Sequence, residues 1–276
     1  MSIETLRINS TNPCLILFLL DQSGSMQGGF GADYNTSKAE ALANAVNETI
    51  HNIGLKCVDS GGTIKDRFEV AVMGYGTGLG NGVSSAYLGE LDGRWVVPIS
   101  ELFEKPYTYN DDEAPIWIEP TWGGLTPMTR AFQQAYDLCS DWISYGNHIN
   151  CHPPLIINIT DGEATDSGWG SKKLITAVNQ IKSLGTEYGN PFIFNIHISY
   201  TNEDQVLFPN SIEDVNSRIS DTNASLLYEL SSHLNEKMVN IGSTKGYKLD
   251  LNSKGFIFNG NSSDLINFLN IGSSPV

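Results

Sequence analysis

The stretch that decides the fold is Leu15-Ile16-Leu17-Phe18-Leu19-Leu20 followed by Asp21-Gln22-Ser23-Gly24-Ser25. A run of apolar residues that ends at an aspartate predicts a strand buried on both faces, whose carboxyl end opens into a polar loop. Ligand sites in open α/β sheets lie at that end of the strands. One carboxylate and two hydroxyl groups are hard oxygen ligands, which suit Mg²⁺ or Mn²⁺. The stretch therefore predicts part of a metal site, to be completed by oxygen ligands from other strand ends.

A second stretch repeats this pattern later in the chain, where the apolar segment Leu155-Ile156-Ile157-Asn158-Ile159-Thr160 is followed by Asp161-Gly162. It predicts another buried strand with an aspartate at its carboxyl end. Since the carboxyl ends of parallel strands meet at one edge of a sheet, Asp21 and Asp161 are expected to lie near each other. The chain therefore offers two carboxylates to one site.

Apolar runs alternate with segments of helical periodicity along the rest of the chain. Thr36 or Ser37 is placed to cap a helix that has Glu40 in its first turn, and Pro127 is placed to begin another helix. Such alternation predicts an α/β fold with a doubly wound, mostly parallel central sheet and helices on both faces, as in Rossmann-like proteins.

The length of 276 residues and the hydrophobic content of 40% allow a sizeable core. We expect a single domain over 1–276, with its core at about 14–272 and an irregular insertion at about 99–122. Two short apolar runs, 86–88 and 95–98, flank an Asp-Gly step, which predicts an antiparallel hairpin at the edge of the sheet.

The composition of the chain indicates which partners and which cellular location to expect. The formal net charge of −15 argues against nucleic acid and against an anionic membrane surface, since both require an excess of Lys and Arg. Residues 1–13 lack the pattern of a secretory signal, and no apolar stretch approaches the roughly 20 residues that span a bilayer. Four cysteines are too few for a disulfide framework in a chain of this length. We expect a cytoplasmic protein with reduced thiols.

A threonine, Thr126, lies in the loop Gly123-Gly124-Leu125-Thr126-Pro127, just before a predicted helix.

Taken together, Asp21-Gln22-Ser23-Gly24-Ser25, the threonine loop and Asp161-Gly162 resemble the von Willebrand factor A (vWA) family. The resemblance extends over nearly the whole chain, from about Cys14 to Gly272. It implies a metal-ion-dependent adhesion site for Mg²⁺ or Mn²⁺. The implied ligands, direct or through water, are Asp21, Ser23, Ser25, Thr126 and Asp161. Thr129 is the alternative to Thr126, because Thr126 does not directly follow the glycine pair.

The same resemblance implies a function without catalysis, namely metal-dependent binding of a Glu or Asp side chain of a protein partner. The chain is similar to the stand-alone bacterial cytoplasmic members of the family. Those members imply a role in stress, phosphosignalling or conflict systems, including tellurite-resistance-type operons, with a kinase, a phosphatase or an ATPase as the partner.

Two alternative functions stay open at this point. A metal-dependent hydrolase or phosphatase would use the same strand-end site, although no second acid lies two residues after Asp21 and Ser23 is not in a Gly-x-Ser-x-Gly elbow. A structural assembly subunit with an unoccupied site is the other. Trp122, Trp169 and the Phe30 loop lie close to the proposed ligands, so they are predicted either to contact the partner or to pack against the sheet.

Overall fold

The first strand, β1 (Cys14–Asp21), has all of its residues buried. Successive side chains of a strand point to opposite faces, so Ile16 and Phe18 join one hydrophobic core while Leu15 and Leu17 join the other. The strand is therefore buried on both faces, as its sequence predicts. The computed structural model describes residues 8–30, 33–77, 82–198 and 204–272.

The other strands of the described residues belong either to the central sheet or to two short two-stranded ribbons. In chain order they are β2 (Gly29–Phe30), β3 (Asp33–Ser37), β4 (Phe68–Tyr75), β5 (Val83–Ser85), β6 (Val97–Pro98), β7 (Thr108–Tyr109), β8 (Pro115–Ile116), β9 (Leu155–Thr160), β10 (Phe192–His197), β11 (Val206–Leu207) and β12 (Phe256–Phe258).

The central sheet has eight strands in the order β11-β12-β10-β9-β1-β4-β5, and β6 also pairs with β4. The inner neighbours are parallel: β1 pairs with β4 and β9, and β10 pairs with β9 and β12. β5, β6 and β11 pair antiparallel at the two edges. This topology confirms the predicted mostly parallel sheet with an antiparallel edge.

The helices of the described residues cover the two faces of this sheet, which confirms the predicted doubly wound arrangement. The helices α1, α2, α7 and α8 supply residues to the core on one face, and α3, α4, α5 and α6 supply residues to the core on the other. Their bounds are α1 (Lys38–Cys57), α2 (Ile99–Glu104), α3 (Met128–Ser144), α4 (Lys172–Ser183), α5 (Ile212–Arg218), α6 (Thr222–Leu230), α7 (Glu236–Thr244) and α8 (Ser262–Gly272).

Two helix starts agree with the sequence. Ser37 caps α1: its side chain accepts from the backbone N–H of Glu40, while the Glu40 side chain accepts from the backbone N–H of Ser37. This reciprocal pair satisfies two N–H groups that the first turn leaves without helical partners. Pro127 directly precedes α3.

The predicted edge hairpin is wrong. β5 and β6 both pair with β4 and not with each other, and the chain between them contains a short 3₁₀ turn at Gly89–Leu91. The Asp-Gly step therefore lies in a connection between two edge strands. Long-range pairing with β4 overrides the local turn preference.

The insertion at 99–122 is more regular than its sequence predicts. It begins with α2 and continues into a small β7–β8 ribbon. Trp117 is fully buried, and its indole Nε1 donates to the Leu102 carbonyl at 2.6 Å. One tryptophan therefore anchors this segment to the core.

The predicted domain span of 1–276 includes 1–7 and 273–276, which lie outside the described residues. Within the described part of the chain, no helix has both the length and the apolar character that crossing a membrane requires.

The carboxyl ends of β1 and β9 form the topological switch point of the sheet. The two strands are adjacent and parallel, yet the chain leaves β1 for α1 on one face and leaves β9 for α4 on the other. The connections diverge there and leave a crevice, which is where ligands bind in open α/β sheets. Asp21 and Asp161 lie at the rim of this crevice.

Candidate metal centre

Three loops meet at the switch point. The β1 loop comprises 22–28, the threonine loop comprises 119–127 and precedes α3, and the β9 loop comprises 161–171 and precedes α4. Each of them carries residues that the sequence predicts to be metal ligands.

Backbone hydrogen bonds hold the β1 loop against the threonine loop. The Gly123 N–H donates to the Gln22 carbonyl at 2.8 Å, and the Gly24 N–H donates to the Gly124 carbonyl at 3.1 Å. Gly124 has a φ of +86°, and a Cβ at this position would lie 2.1 Å from the Gly76 carbonyl oxygen. Only glycine fits both the conformation and the space. Gly124 therefore allows the threonine loop to approach the backbone that follows β4.

Asp21 is buried at the end of β1 and orients the β1 loop. Its Oδ1 accepts from the Ser23 backbone N–H at 2.8 Å, and its Oδ2 accepts from the Thr160 hydroxyl. Burial raises the pKa of Asp21 to about 6, although the hydrogen bonds from Thr160 and Ser23 lower it. Positive charge close to this carboxylate would offset the cost of its burial.

Ser23, Ser25 and Asp161 form a continuous chain of polar contacts across the crevice. The Ser23 and Ser25 hydroxyl oxygens are 3.0 Å apart, and the Ser25 hydroxyl donates to Asp161 Oδ1 at 2.6 Å. Ser23 is buried and Ser25 is exposed, so the chain of contacts leads outward from Asp21. The structure therefore brings together four of the five predicted ligands through direct contacts.

Thr126, the fifth predicted ligand, lies at the same crevice. The Thr165 N–H of the β9 loop donates to the Thr126 carbonyl at 2.9 Å, and the Thr126 Oγ1 lies 3.9 Å from where a Cβ on Gly162 would be. Thr126 thus faces the residue that follows Asp161. Thr129 is buried within α3, and its hydroxyl has no hydrogen-bond partner among the residues that the structure describes.

Lys38, which the sequence analysis does not identify, contributes a positive charge to the site. It is the first residue of α1, and its ammonium Nζ lies 2.6 Å from Asp161 Oδ2. The Asp161 side chain is 0% exposed and the Lys38 side chain 8%. A lysine at the N-terminus of a helix opposes the helix dipole, which makes its position unusual but does not reveal its contact with Asp161.

Two further residues that support the site were not assigned these roles from the sequence. Thr160, the last residue of β9, donates to Asp21. Asp166 in the β9 loop accepts from the backbone N–H groups of Thr129 at 2.9 Å and of Arg130 at 3.0 Å, so it caps the start of α3. Both contacts fix one ligand loop to another element.

The arrangement of oxygen donors fits a hard divalent cation. Hydroxyl and carboxylate oxygens from separate loops face one crevice, and a cationic group, the ammonium of Lys38, already lies against Asp161. Oxygen ligands of this kind suit Mg²⁺ and Mn²⁺. Clusters of three or more His, Cys, Asp or Glu side chains able to hold a metal are absent from the described residues, so a metal at this crevice would depend on the hydroxyl groups.

The rim of the crevice exposes large apolar side chains. Trp169 of the β9 loop is 91% exposed, and Trp122 and Leu125 of the threonine loop are 44% and 55% exposed. Phe30, in contrast, is 7% exposed and belongs to a hydrophobic core. The prediction for the Phe30 loop is thus resolved in favour of packing, whereas both tryptophans are available to a partner.

Basic residues are found at the same rim. Arg130 is in the first turn of α3, where its backbone N–H donates to Asp166, and Lys172 and Lys173 begin α4 directly after the β9 loop. The Lys172 ammonium lies 6.0 Å from the centre of the Trp169 ring. These positive charges contrast with the net charge of −15 of the whole chain.

No family model matches the chain, and no curated protein matches it in sequence. Among solved structures, the manganese-loaded Plasmodium vivax TRAP protein is similar over 95% of this chain and 73% of that one, with a TM-score of 0.43 at 12% identity.

Two further structures are similar over 94% of this chain. For proximal thread matrix protein 1 from the mussel byssus the TM-score is 0.45, the identity is 13% and 46% of that chain is covered. For the pilus adhesin SpaC from Lactobacillus rhamnosus GG the TM-score is 0.49, the identity is 13% and 30% of that chain is covered. Because all three TM-scores lie below 0.5, the fold assignment depends on the strand order and on the register of this chain.

Proposed function

We propose that this protein is a metal-dependent interaction module of the vWA type, which binds a Glu or Asp side chain of a protein partner through Mg²⁺ or Mn²⁺. The observation that carries the proposal is the convergence of Ser23, Ser25 and Asp161 through hydrogen bonds at the switch point. Thr126 and the buried Asp21 complete the set of oxygen donors.

Each donor has a distinct task in this proposal. Ser23, Ser25 and Thr126 supply uncharged oxygens, while Asp21 and Asp161 supply negative charge and orient the loops. When bound, the metal supplies a Lewis-acidic position with uncompensated positive charge, for which a carboxylate is the preferred ligand. The burial of Asp21, Ser23 and Thr126 holds the donors in place before a partner arrives.

The rim of the crevice supports an acidic partner segment with apolar neighbours. Arg130, Lys172 and Lys173 favour the approach of a carboxylate, although the net charge of the whole molecule is negative. Trp122 and Trp169 offer exposed aromatic area beside the crevice, and such side chains are enriched at binding hot spots.

The proposed function involves no catalysis. In this proposal the hydroxyl groups of Ser23 and Ser25 act as oxygen donors to the metal; they contact each other, and Ser25 donates to Asp161. From the resemblance to stand-alone vWA proteins, we propose a kinase, a phosphatase or an ATPase of a bacterial stress, phosphosignalling or conflict system as the partner, and a cytoplasmic location.

The test is affinity capture from native lysate with the wild-type protein and the variants Asp21→Ala and Thr126→Ala, each with Mg²⁺ and with EDTA. Asp112→Ala is the control, since it removes an exposed carboxylate from the turn between β7 and β8. We expect one partner to be retained by the wild type and by Asp112→Ala with Mg²⁺, and lost from both site variants and in EDTA. Circular dichroism verifies that each variant is folded.

Retention of the same partner in EDTA and by both folded site variants would contradict the proposal. Such a result would place the interaction elsewhere on the molecule. Reproducible hydrolysis of a phosphate or acyl ester that Ser23→Ala abolishes would contradict its non-enzymatic part.

A further inference from the structure

The buried ion pair between Lys38 and Asp161 is the feature of the site that the proposed function does not use. Its two side chains are 8% and 0% exposed, whereas both side chains of the pairs Lys65–Asp59, Arg94–Glu101 and Lys105–Glu101 are at least 23% exposed. Taking two charges out of water is costly unless they compensate each other closely. Lys38 therefore belongs to the site and not to the solvated surface.

The backbone also fixes Lys38 to the metal loop. Its N–H donates to the Gly28 carbonyl at 2.8 Å, which joins the first residue of α1 to the end of the β1 loop. Its Nζ passes 4.0 Å from where a Cβ on Gly28 would lie. The backbone of Lys38 therefore cannot move away from the β1 loop without disrupting the start of α1. This contact keeps the Lys38 ammonium within reach of Asp161.

Both oxygens of Asp161 are engaged in this arrangement. Oδ1 accepts from Ser25, and Oδ2 contacts the Lys38 ammonium. A divalent cation that contacts Asp161 would lie within a few ångströms of a second positive charge, in a crevice where solvent screens poorly. The ammonium and the metal therefore oppose each other at the same carboxylate.

From this juxtaposition we infer that Lys38 is a tethered internal cation that competes with the divalent metal for Asp161. The inference rests on the proposed function, because it concerns the regulation of the same site. Without metal, Lys38 compensates Asp161 and the site is neutralised internally. With metal, Lys38 leaves Asp161, so that occupancy depends on a metal concentration high enough to displace it.

The test is titration of the metal-free protein with Mn²⁺, followed by isothermal calorimetry. The wild type is compared with Lys38→Met, which removes the charge and keeps an unbranched side chain. Lys65→Met is the matched control, since Lys65 pairs with Asp59 at the surface, 3.1 Å away. We expect Lys38→Met to bind Mn²⁺ about tenfold or more tightly than the wild type, a change of about 1.4 kcal/mol, and Lys65→Met to bind like the wild type.

A second variant covers the case in which Lys38→Met does not fold without metal. Lys38→Arg keeps the positive charge, and we expect it to bind Mn²⁺ no more tightly than the wild type. In EDTA, Lys38→Met should melt at a lower temperature than the wild type, because Asp161 is left buried without a counter-ion. Saturating Mn²⁺ should raise its melting temperature by more than that of the wild type.

Equal or weaker Mn²⁺ binding by Lys38→Met would overturn the competition while leaving the metal site itself in place. Tighter binding by Lys38→Arg would overturn it as well. Absence of Mn²⁺ binding in both wild type and Lys38→Met would overturn the competition together with the proposed metal-dependent function. Partner capture that persists in EDTA would overturn the proposed function alone.

Discussion

At the scale of single residues, the site depends on a buried carboxylate that is held by neutral donors. Asp21 is fully buried and accepts hydrogen bonds from the Ser23 backbone and from the Thr160 hydroxyl. Because burial without such donors would be costly, Thr160 is as important to the β1 loop as the ligands themselves.

Replacing Thr160 with Val should therefore reduce stability. The variant keeps the shape of the side chain and removes the hydrogen bond to Asp21, so we expect a loss of about 1.5–3 kcal/mol in the free energy of unfolding. Urea denaturation of the metal-free protein measures it. Thr176→Val is the control, since the Thr176 hydroxyl donates to the Lys172 carbonyl on an exposed part of α4. Similar losses in both variants would contradict this role of Thr160.

The residue scale also shows what sequence could and could not predict about the site. Asp21, Ser23, Ser25 and Asp161 were predictable, because each follows an apolar strand at a known end of the sheet. Lys38 was not, because its contact with Asp161 joins residues 123 positions apart and depends on how α1 packs.

At the scale of elements, helix starts position the ligand loops. Asp166 accepts from two N–H groups in the first turn of α3, and Thr126 lies two residues before this helix. The same contacts therefore stabilise the helix and fix the threonine loop.

Asp166→Ala should lower the free energy of unfolding by about 0.5–2 kcal/mol, the usual cost of removing an N-terminal cap. It should also weaken Mn²⁺ binding, since Thr126 loses its support. Urea denaturation and calorimetry measure the two effects. Asp141→Ala, an exposed change near the end of the same helix, should leave Mn²⁺ binding unchanged. A metal affinity equal to that of the wild type in Asp166→Ala would contradict the positioning role.

Lys182 lies in the last turn of α4, where its partial burial disfavours the charged form of its ammonium. Partial burial, with a smaller contribution from Lys254, lowers the pKa of Lys182 from 10.5 to about 8. The unfolded chain thus binds more protons than the folded one between pH 8 and 10.5, so stability rises with pH in this window. Below pH 8 the full penalty is present.

Lys182→Met should therefore stabilise the protein by about 1 kcal/mol at pH 7. This value is smaller than the full pKa shift implies, because Lys182 still contacts solvent, which screens its charge. The gain should shrink as the pH approaches 10.5. Urea midpoints at pH 7 and pH 10 measure it, with the exposed change Lys248→Met as the control. An equal gain in stability at both pH values would contradict the lowered pKa of Lys182.

Two elements differ from what their local sequence predicts. The hairpin around the Asp-Gly step was predicted from a local turn signal, whereas β5 and β6 pair with β4. The aromatic segment at 99–122 was predicted to be irregular, yet Trp117 is fully buried and its backbone N–H donates to the Asn47 side chain of α1. Both features depend on contacts distant in sequence, which local patterns do not encode.

At the scale of the whole molecule, the alternation of strands and helices was sufficient to predict the layered sheet, because each apolar strand must be covered on both faces. The placement of β1 between β4 and β9 then creates the crevice. The fold was therefore more predictable than the charges inside it.

The four cysteines are all free and buried. Burial raises the pKa of the Cys14 and Cys139 thiols well above the usual range, so they are poor nucleophiles. We expect the native protein to react negligibly with Ellman's reagent and the denatured protein to react at all four thiols. Rapid reaction of the native protein would contradict the packing described.

The central claim is that the crevice between β1 and β9 holds a divalent cation. The most direct measurement is anomalous X-ray scattering, at the manganese absorption edge, from crystals soaked in Mn²⁺. We expect one peak among Ser23, Ser25, Thr126 and Asp161, with the Lys38 ammonium displaced from Asp161. No peak in the crevice at saturating Mn²⁺, with Lys38 still in contact with Asp161, would contradict it.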